Sequence, residues 1–285
     1  MIKNILVPQD GSAHSRAALD CALWLAGRFE ACLTGLYIVD VVSLEGPFIH
    51  DVSASMGFEP FLNFSTRMRE VLESKGKTVL ASFEESCRNS GVKCFGSGVS
   101  FGIVSNEICE RANLADLVVM GRHGENEEFQ HGLLGAVTEG VIRKSPKPVL
   151  VTPREFKEPR KPLLAYDGSP NAAKAMHSAA EWARALALPL TVICVSKEGE
   201  EAGKGGKGGK GLNDAKNYLK PYGIETRFVE AAGDPPSLIV KHCRENSHDL
   251  VFMGVTRHSR IVEMVLGSTA EHLIRALPVP FLLER

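Results

Sequence analysis

The chain has 285 residues, of which 44% are hydrophobic and 24% are charged, which is enough apolar material for two packed cores. Lys plus Arg number 33 against 34 for Asp plus Glu, so the overall charge predicts no binding to nucleic acid or to a membrane surface. No apolar run reaches the roughly 20 residues that a membrane helix needs, and the N-terminus leads directly into a strand, so we expect a cytoplasmic protein without a targeting segment.

The cysteines form an odd set without a C-x-x-C pair. They are Cys21, Cys32, Cys87, Cys94, Cys109, Cys194 and Cys243. A chain of this length does not need disulfides to be stable, so the sequence predicts reduced thiols, as in a cytosol.

The first half of the chain predicts alternating strands and helices. A continuous apolar run over residues 4–8 predicts a strand that has helices on both of its faces. Ser12 then caps a helix whose apolar side chains recur at spacings of three and four. The further predictions are strands over 33–39, 92–98, 116–119 and 147–151, and helices over 78–90 and 103–112.

An insertion over residues 41–76 has no counterpart of its length in the second half. It carries the aromatic residues Phe48, Phe58, Phe61 and Phe64. Two interpretations stay open: a lid or extra helix that packs these rings onto the first half, or an apolar surface for a ligand or partner.

The second half repeats the plan of the first. Residues 154–161 are charged and lie between two prolines, which is typical of a short linker, so we predict domains over 1–153 and 162–285. The predictions within the second domain are strands over 163–166, 190–195, 225–230, 249–253 and 280–283, and helices over 171–187, 211–222, 237–244 and 269–277.

Between its second strand and second helix, the second half has a Gly- and Lys-rich segment over 198–211, whose composition predicts flexibility. It is not an ATPase P-loop, because Lys210 is followed by Gly211 rather than by Ser or Thr. Lys204, Lys207 and Lys210 could still lie near a bound phosphate, or the segment could be only a mobile spacer.

A glycine loop follows the fourth strand of each half. The residues that open and close these loops are Gly121, Gly124 and Gly135 in the first half, and Gly254, Gly267, Ser268 and Thr269 in the second. Glycine at a strand-to-helix turn lets a polyanion approach the backbone, and the helix that follows directs its first N–H groups at that anion. The pattern favours a phosphate site, and the alternative is a tight turn that binds nothing.

These motifs resemble the universal stress protein family in its tandem form. Asp-Gly-Ser follows the first strand of each half, and the family pattern before the last helix is G-x-x-G, a nine-residue gap and Gly-Ser. The first half has G-x-x-G with a ten-residue gap, and the second half has the nine-residue gap and Gly-Ser. The resemblance implies an α/β fold of two doubly wound, five-stranded parallel sheets of strand order 3-2-1-4-5, similar to the adenine nucleotide α-hydrolases. The chain departs from the pattern where Arg257 replaces the second glycine of one loop and Ala136 replaces the serine of the other.

By the same resemblance the ligand is ATP, with or without Mg²⁺. Asp10 and Asp167 would face the ribose or the base, the backbone at Val195 would meet the adenine, and the glycine loops would hold the phosphates. Arg257 would then either pair with a phosphate or fill the pocket. The alternative for the two aspartates is an ordinary turn with a helix cap.

We expect neither a catalytic residue nor a metal site. His258 is adjacent to Ser259, and adjacent residues rarely form a productive nucleophile and base. His242, Cys243 and His248 are chemically suited to bind a metal, but their placement on and beside a helix favours solvated or partly buried side chains.

The resulting hypothesis is a stress-response regulatory protein that binds an adenine nucleotide and hydrolyses it little or not at all. One alternative is an interaction scaffold with degenerate sites. The other is an ATP-cleaving enzyme of the wider adenine nucleotide α-hydrolase fold. It is disfavoured because the Ser-Gly-Gly-x-Asp-Ser pyrophosphate loop that such enzymes carry is absent at residues 9–12.

Local charge predicts that ATP prefers the second half. The first loop contains three carboxylates, at Glu125, Glu127 and Glu128, whereas the second contains Arg257, His258 and Arg260 against a single Glu263.

The last strands of the two halves are sheet edges, and unpaired edges attract other chains. We therefore predict that residues 149–151 and 280–283 pair within the chain, which makes it a pseudo-dimer, and we leave a further homodimer open.

Overall fold

The computed structural model describes residues 2–40, 61–125, 134–196, 207–255 and 267–285, with side chains from 67 onward in the helix that begins at 61 and from 211 onward in the helix that begins at 207. The first half contains β1 (Asn4–Pro8), α1 (Ala13–Phe29), β2 (Cys32–Asp40), α2 (Phe61–Asn89), β3 (Phe95–Gly102), α3 (Val104–Ala112), β4 (Leu117–Gly121), α4 (Ala136–Lys144) and β5 (Val149–Thr152). The second contains β6 (Pro162–Ala165), α5 (Pro170–Leu186), β7 (Leu190–Ser196), α6 (Lys207–Leu219), β8 (Thr226–Ala232), α7 (Pro235–Glu245), β9 (Leu250–Gly254), α8 (Ser268–Ala276) and β10 (Phe281–Glu284).

All ten strands form one sheet in the order β3-β2-β1-β4-β5-β10-β9-β6-β7-β8. Within each half the order is 3-2-1-4-5 and every pair is parallel, which confirms the predicted fold class. The first strand of each half lies between the second and the fourth, so the chain reverses its direction of winding there. The residues that follow β1 and β4, and those that follow β6 and β9, are thereby brought together.

The two halves meet through β5 and β10, which pair antiparallel. Phe281 lies opposite Val151, Leu282 opposite Leu150, and Leu283 opposite Val149. This confirms the predicted pairing of the two last strands. Because the pairing is antiparallel, the carboxyl edges of the two halves point in opposite directions.

Helices cover both faces of the sheet, and each face has a core that crosses the seam between the halves. On one face α1, α2, α5 and α6 bury a continuous apolar cluster, in which the rings of Phe29 and Trp182 approach to 5.6 Å across the seam. On the other face α3, α4, α7 and α8 bury the second large cluster. Alternate strand residues serve the two sides, since Ile5 belongs to the first cluster and Leu6 to the second.

Two helices begin earlier than predicted. α2 begins at Phe61 rather than at residue 78, and Gly76 does not break it because the Tyr37 ring occupies the space of the missing side chain. The other aromatics of the insertion, and the side chains of Phe61 and Phe64, lie outside the described residues, so both interpretations of the insertion stay untested.

α6 begins at Lys207 rather than at residue 211, so the last residues of the Gly- and Lys-rich segment are helical, not a flexible loop. Helix formation extends upstream because Leu212 and Ala215 anchor the helix in the core. Lys204 and the side chains of Lys207 and Lys210 lie outside the described residues.

The expectation of seven reduced thiols is wrong for two of them, because Cys32 and Cys94 form a disulfide. Cys32 begins β2, Cys94 immediately precedes β3, and the Leu33 N–H donates to the Cys94 carbonyl at 3.0 Å. The parallel register therefore brings the two Cα atoms to 4.6 Å, a separation that suits a disulfide. The other five cysteines are free thiols.

Hydrogen bonds attach the segment between the halves to the second half. The N–H groups of Arg160 and Lys161 donate to the Asp249 carboxylate at 2.8 and 2.7 Å. Lys3 and Asn4 make the same pair of bonds to Asp116 in the first half. In the part of the chain that is described, every helix is too short or too polar to cross a lipid bilayer.

Replacing Phe281 by Ala should destabilise the whole chain by about 3–5 kcal/mol, because the ring is fully buried at the seam and its removal leaves a cavity. Urea unfolding of the intact chain measures this change. The matched control is Leu114→Ala, whose side chain is 83% exposed and should change stability by about 0.5 kcal/mol or less. Equal small effects of the two substitutions would contradict the seam as a shared core.

Reduction of the disulfide should destabilise the protein by up to about 4 kcal/mol, since the bond closes a chain segment of 62 residues and restricts the unfolded state. Mass spectrometry after alkylation checks the bond itself. Without reductant, the unfolded chain should gain five adducts, one for each free cysteine, and reduction should raise the number to seven. Seven adducts without reductant would show that the bond is absent.

Candidate functional site

An Asp-Gly-Ser turn joins the first strand of each half to the helix that follows. The Asp10 carboxylate accepts the Ser12 N–H at 2.9 Å, and the Asp167 carboxylate accepts the Ser169 N–H at the same distance. The glycine between them has a positive φ in both turns, 91° at Gly11 and 78° at Gly168, a conformation that favours glycine. One carboxylate oxygen of each aspartate thus holds the turn.

The serine of each turn caps a helix. Ser12 Oγ accepts the Ser15 N–H at 3.1 Å, and Ser169 Oγ accepts the Ala172 N–H at 3.2 Å. These caps account for both serines without a bound ligand.

The second carboxylate oxygen of Asp10 lies close to Gly124. A Cβ on that glycine would be 2.8 Å from it. This oxygen faces the opening between the turn and the first glycine loop.

Close packing against a helix requires glycine at the ends of both β4 and β9. A Cβ on Gly121 would lie 2.6 Å from the His14 Cβ and 2.8 Å from its backbone, and a Cβ on Gly254 would lie 2.4 Å from the Ala172 nitrogen. The first turn of α1 or α5 thus passes directly over the end of the neighbouring strand. Gly121 and Gly254 therefore have a structural role that needs no phosphate.

A cleft of about 460 Å³ opens at the carboxyl edge of the first half. The ends of β1, β2 and β4, the start of α4, and parts of α2 and α3 line it. It brings together four of the residues that the sequence analysis singled out, namely Asp10, Gly121, Gly124 and Gly135. Ile38, which occupies in β2 the place of Val195 in β7, also lines the cleft.

The wall of this cleft includes the N-terminus of α4. Gly135 is the N-cap residue and has no side chain to cap the helix, so the first turn presents its backbone N–H groups at the opening. Thr138 fixes the helix to the strand, because its hydroxyl donates to the Gly121 carbonyl at 2.9 Å. The arrangement suits an anion at the helix N-terminus.

Lys75 is a cleft residue that the sequence reasoning missed. Its ammonium group donates to the Glu125 carboxylate at 2.6 Å, and this hydrogen bond raises the pKa of Lys75. One of the three carboxylates expected to repel phosphates is therefore paired with a cation from α2. Glu127 and Glu128 lie outside the described residues. No sequence signal identifies Lys75, because it belongs to the insertion over residues 41–76, whose place in the fold cannot be predicted.

The second half has the same framework at its carboxyl edge. Gly267 is the N-cap of α8, Ser268 and Thr269 form the first turn of that helix, and Val195 is half-buried on β7. Asp167 follows β6, which pairs with both β7 and β9, so it lies at the same edge of the sheet. Arg257, His258 and Arg260 lie outside the described residues.

Two pairs of histidine rings are in contact. The rings of His14 and His123 meet edge to face at 5.0 Å, and those of His242 and His248 stack at 5.3 Å. Burial lowers the pKa of both His242 and His248. Among the described residues no group of three or more His, Cys, Asp or Glu side chains could hold a metal ion.

Comparison with known proteins places these features in one family. The family model of the universal stress proteins matches residues 1–153 and 159–285. A universal stress protein of Synechocystis sp. is 28% identical over 291 residues, covering 100% of both chains, and one of Methanocaldococcus jannaschii is 33% identical over 55% of this chain and 86% of its own length. The crystal structure of a universal stress protein from Archaeoglobus fulgidus has the same fold, with a TM-score of 0.76 at 23% identity, over 99% of this chain and 98% of that one.

Gly254→Ala should destabilise the protein by about 1–3 kcal/mol or more, because the added Cβ meets backbone atoms that cannot move independently of α5. The matched control is Gly27→Ala in α1, where a Cβ meets nothing within 4 Å and the higher helix propensity of Ala should stabilise by about 0.5–1 kcal/mol. Thermal unfolding without added nucleotide compares the two. A neutral Gly254→Ala would leave close approach of a ligand as the reason for this glycine.

Proposed function

Because the chain belongs to the universal stress protein family, we propose that it is a stress-response regulatory protein that binds ATP or a related adenine nucleotide, with or without Mg²⁺, at the carboxyl edge of its sheet. Hydrolysis is slow or absent in this proposal. We further take residues 1–153 and 162–285 as its two domains, with 154–161 as the linker, and place the protein in the cytoplasm.

The observation that carries the proposal is the cleft of the first half. It combines a carboxylate oxygen of Asp10, an apolar wall that includes Ile38, and the uncapped helix N-terminus at Gly135. These groups suit a ribose, a base and a phosphate respectively. The same turn and the same helix start recur in the second half, at Asp167 and Gly267.

The hydrogen bonds of the two Asp-Gly-Ser turns support slow or absent hydrolysis. In each half one oxygen of the aspartate is committed to holding the turn. Residues 9–12 also lack the Ser-Gly-Gly-x-Asp-Ser loop that binds pyrophosphate in cleaving enzymes of this fold, as noted above. The proposal therefore assigns no catalytic residue.

We propose that the second half binds the nucleotide more tightly. Glu125, Glu127 and Glu128 belong to the first loop, and a single unpaired like charge at 4 Å costs about 4 kcal/mol at an effective dielectric constant near 20. The ion pair of Glu125 with Lys75 reduces this repulsion. A difference of only about 1.4 kcal/mol between the binding free energies of the two halves is enough to separate their affinities for the nucleotide tenfold.

An interaction scaffold is the second candidate function. It is favoured by the packing role of Gly121 and Gly254, which accounts for both glycines without a bound phosphate.

The Cys32–Cys94 disulfide argues against the proposed cytoplasmic location, because reducing compartments disfavour disulfides.

A pair of equivalent substitutions in the full chain tests both the proposed site and its preference. Asp167→Ala should weaken the tightest ATP binding by about tenfold or more, since a charge-assisted hydrogen bond contributes roughly 1.5–3 kcal/mol. Asp10→Ala should leave that affinity unchanged. Isothermal titration calorimetry gives both values. The full chain is needed because separating the halves would expose the edges of β5 and β10.

The two variants control for each other, because each removes the same turn hydrogen bond in its own half. Circular dichroism verifies that both are folded. Weaker binding by Asp10→Ala alone would assign the tight site to the first half and overturn the preference. ATP affinity that both variants retain would remove these aspartates from the proposed site.

A further inference from the structure

Arg122 and Val255 occupy equivalent positions in the two halves. Each follows the glycine that ends the fourth strand of its half. The Arg122 N–H donates to the Thr152 carbonyl at 2.9 Å, and the Val255 N–H donates to the Glu284 carbonyl at 2.7 Å. The two halves thus make the same backbone hydrogen bond at this position, while the side chains differ greatly in length and charge.

Arg122 crosses the seam. Its guanidinium group donates to the carbonyls of Leu277 at 2.9 Å and Val279 at 3.3 Å, in the turn between α8 and β10. Burial lowers the pKa of Arg122 to about 10, so the group keeps its charge at neutral pH. In the first half, therefore, a cation of the protein itself fills the space between the end of β4 and the opposite turn.

Val255 is 6% exposed, and its side chain has no donor to extend across the seam. Valine is too short to reach the equivalent turn, which runs from Ser145 to Pro148 between α4 and β5. Hydrogen bonds within that turn satisfy the backbone polar groups of Lys147, because Ser145 Oγ donates to the Lys147 carbonyl at 2.8 Å and accepts the Lys147 N–H at 3.2 Å. A groove of about 900 Å³ lies here, between the turn and the first turns of α5.

Four cationic side chains line the groove. Among the described residues that line it, Lys144 and Lys147 come from the first half, Lys174 and Arg285 come from the second, and Glu284 is a carboxylate. Glu284 accepts a hydrogen bond from the Ser178 hydroxyl, and burial raises its pKa. Cations from both halves therefore surround a single cavity.

Three of these cations have a definite arrangement, since the Lys144 ammonium group donates to the Asn106 side-chain oxygen at 2.8 Å. The Lys174 ammonium group donates to the main-chain oxygen of Arg285, so the two residues are held together. The buried Nε of Arg285 has no hydrogen-bond partner among the described residues.

We propose that this seam groove binds a small anion that carries several phosphate groups, between the lysines of the first half and the Lys174 and Arg285 side chains of the second. Separated point charges on two walls suit an anion with several charged groups, and lysine binds phosphate as a point charge. The volume lies within the range of small-molecule sites in proteins.

The seam groove is distinct from the proposed nucleotide site. Its lining includes neither Asp167 nor Gly254 nor Gly267. Asn171 lies at the boundary, where its side-chain amide donates to the Val255 carbonyl at 2.7 Å. The groove also needs both halves, whereas each nucleotide site is built within one half. The seam proposal therefore does not depend on the nucleotide proposal.

The test is calorimetric titration of the full chain with inorganic tripolyphosphate at low salt, where charge interactions are least screened. The test variant is Lys144→Gln with Lys174→Gln, which removes one exposed cation from each wall. The control is Lys93→Gln with Lys220→Gln, which removes two exposed cations elsewhere and gives the same net charge. We expect at least tenfold weaker binding for the test variant and a change below twofold for the control.

ATP titrations of the same proteins separate this site from the nucleotide site, because the seam variant should keep its ATP affinity within twofold. Circular dichroism spectra and melting temperatures equal to those of the unmodified chain show that the variants are folded. Absence of tripolyphosphate binding by the unmodified chain would overturn the proposal. Equal losses in test and control variants would also overturn it, since they would show attraction by net charge alone.

Discussion

The antiparallel pairing of β5 with β10 is the interaction on which the rest of the structure depends. Each of these strands is the last of its half, and alone it would present an edge of unpaired N–H and C=O groups. Pairing them turns two five-stranded sheets into one sheet of ten strands and lets both helical faces continue across the seam. The contact that a dimer would make between two chains is made here within one.

This pairing also determines where chemistry can occur. Because the two last strands run in opposite directions, the two carboxyl edges face away from each other. A ligand in one half therefore cannot contact the equivalent site in the other. At the seam, side chains of both halves line a common cavity. The two halves differ there, because Arg122 donates across the seam whereas the equivalent Val255 has no donor in its side chain.

Much of the fold could be predicted from the sequence, because it is encoded locally and twice. The apolar runs, the Asp-Gly-Ser turns and the glycine loops recur in the same order, and the resemblance that they carry implies the observed strand order. The seam pairing could be predicted as well, since it follows from edge strands that need partners.

Other features depend on three-dimensional neighbours that the sequence does not show. The Cys32–Cys94 disulfide depends on the register of β2 against β3. Cys32 begins β2 and Cys94 immediately precedes β3, a signal that spacing rules for C-x-x-C pairs overlook. The early start of α2 required knowing that Tyr37 packs on Gly76. For the candidate site, Asp10, Gly121, Gly124 and Gly135, which the sequence indicated, line one cleft in the first half. The sequence did not indicate the Lys75–Glu125 ion pair that alters the charge of this cleft.

Native mass spectrometry of the purified full chain, before and after denaturation, tests the central claim most directly. The account predicts a mass excess equal to an adenine nucleotide in the native spectrum, which disappears on denaturation and is restored by adding ATP. A native mass equal to that of the bare chain, unchanged after incubation with millimolar ATP, would contradict nucleotide binding and favour the interaction scaffold.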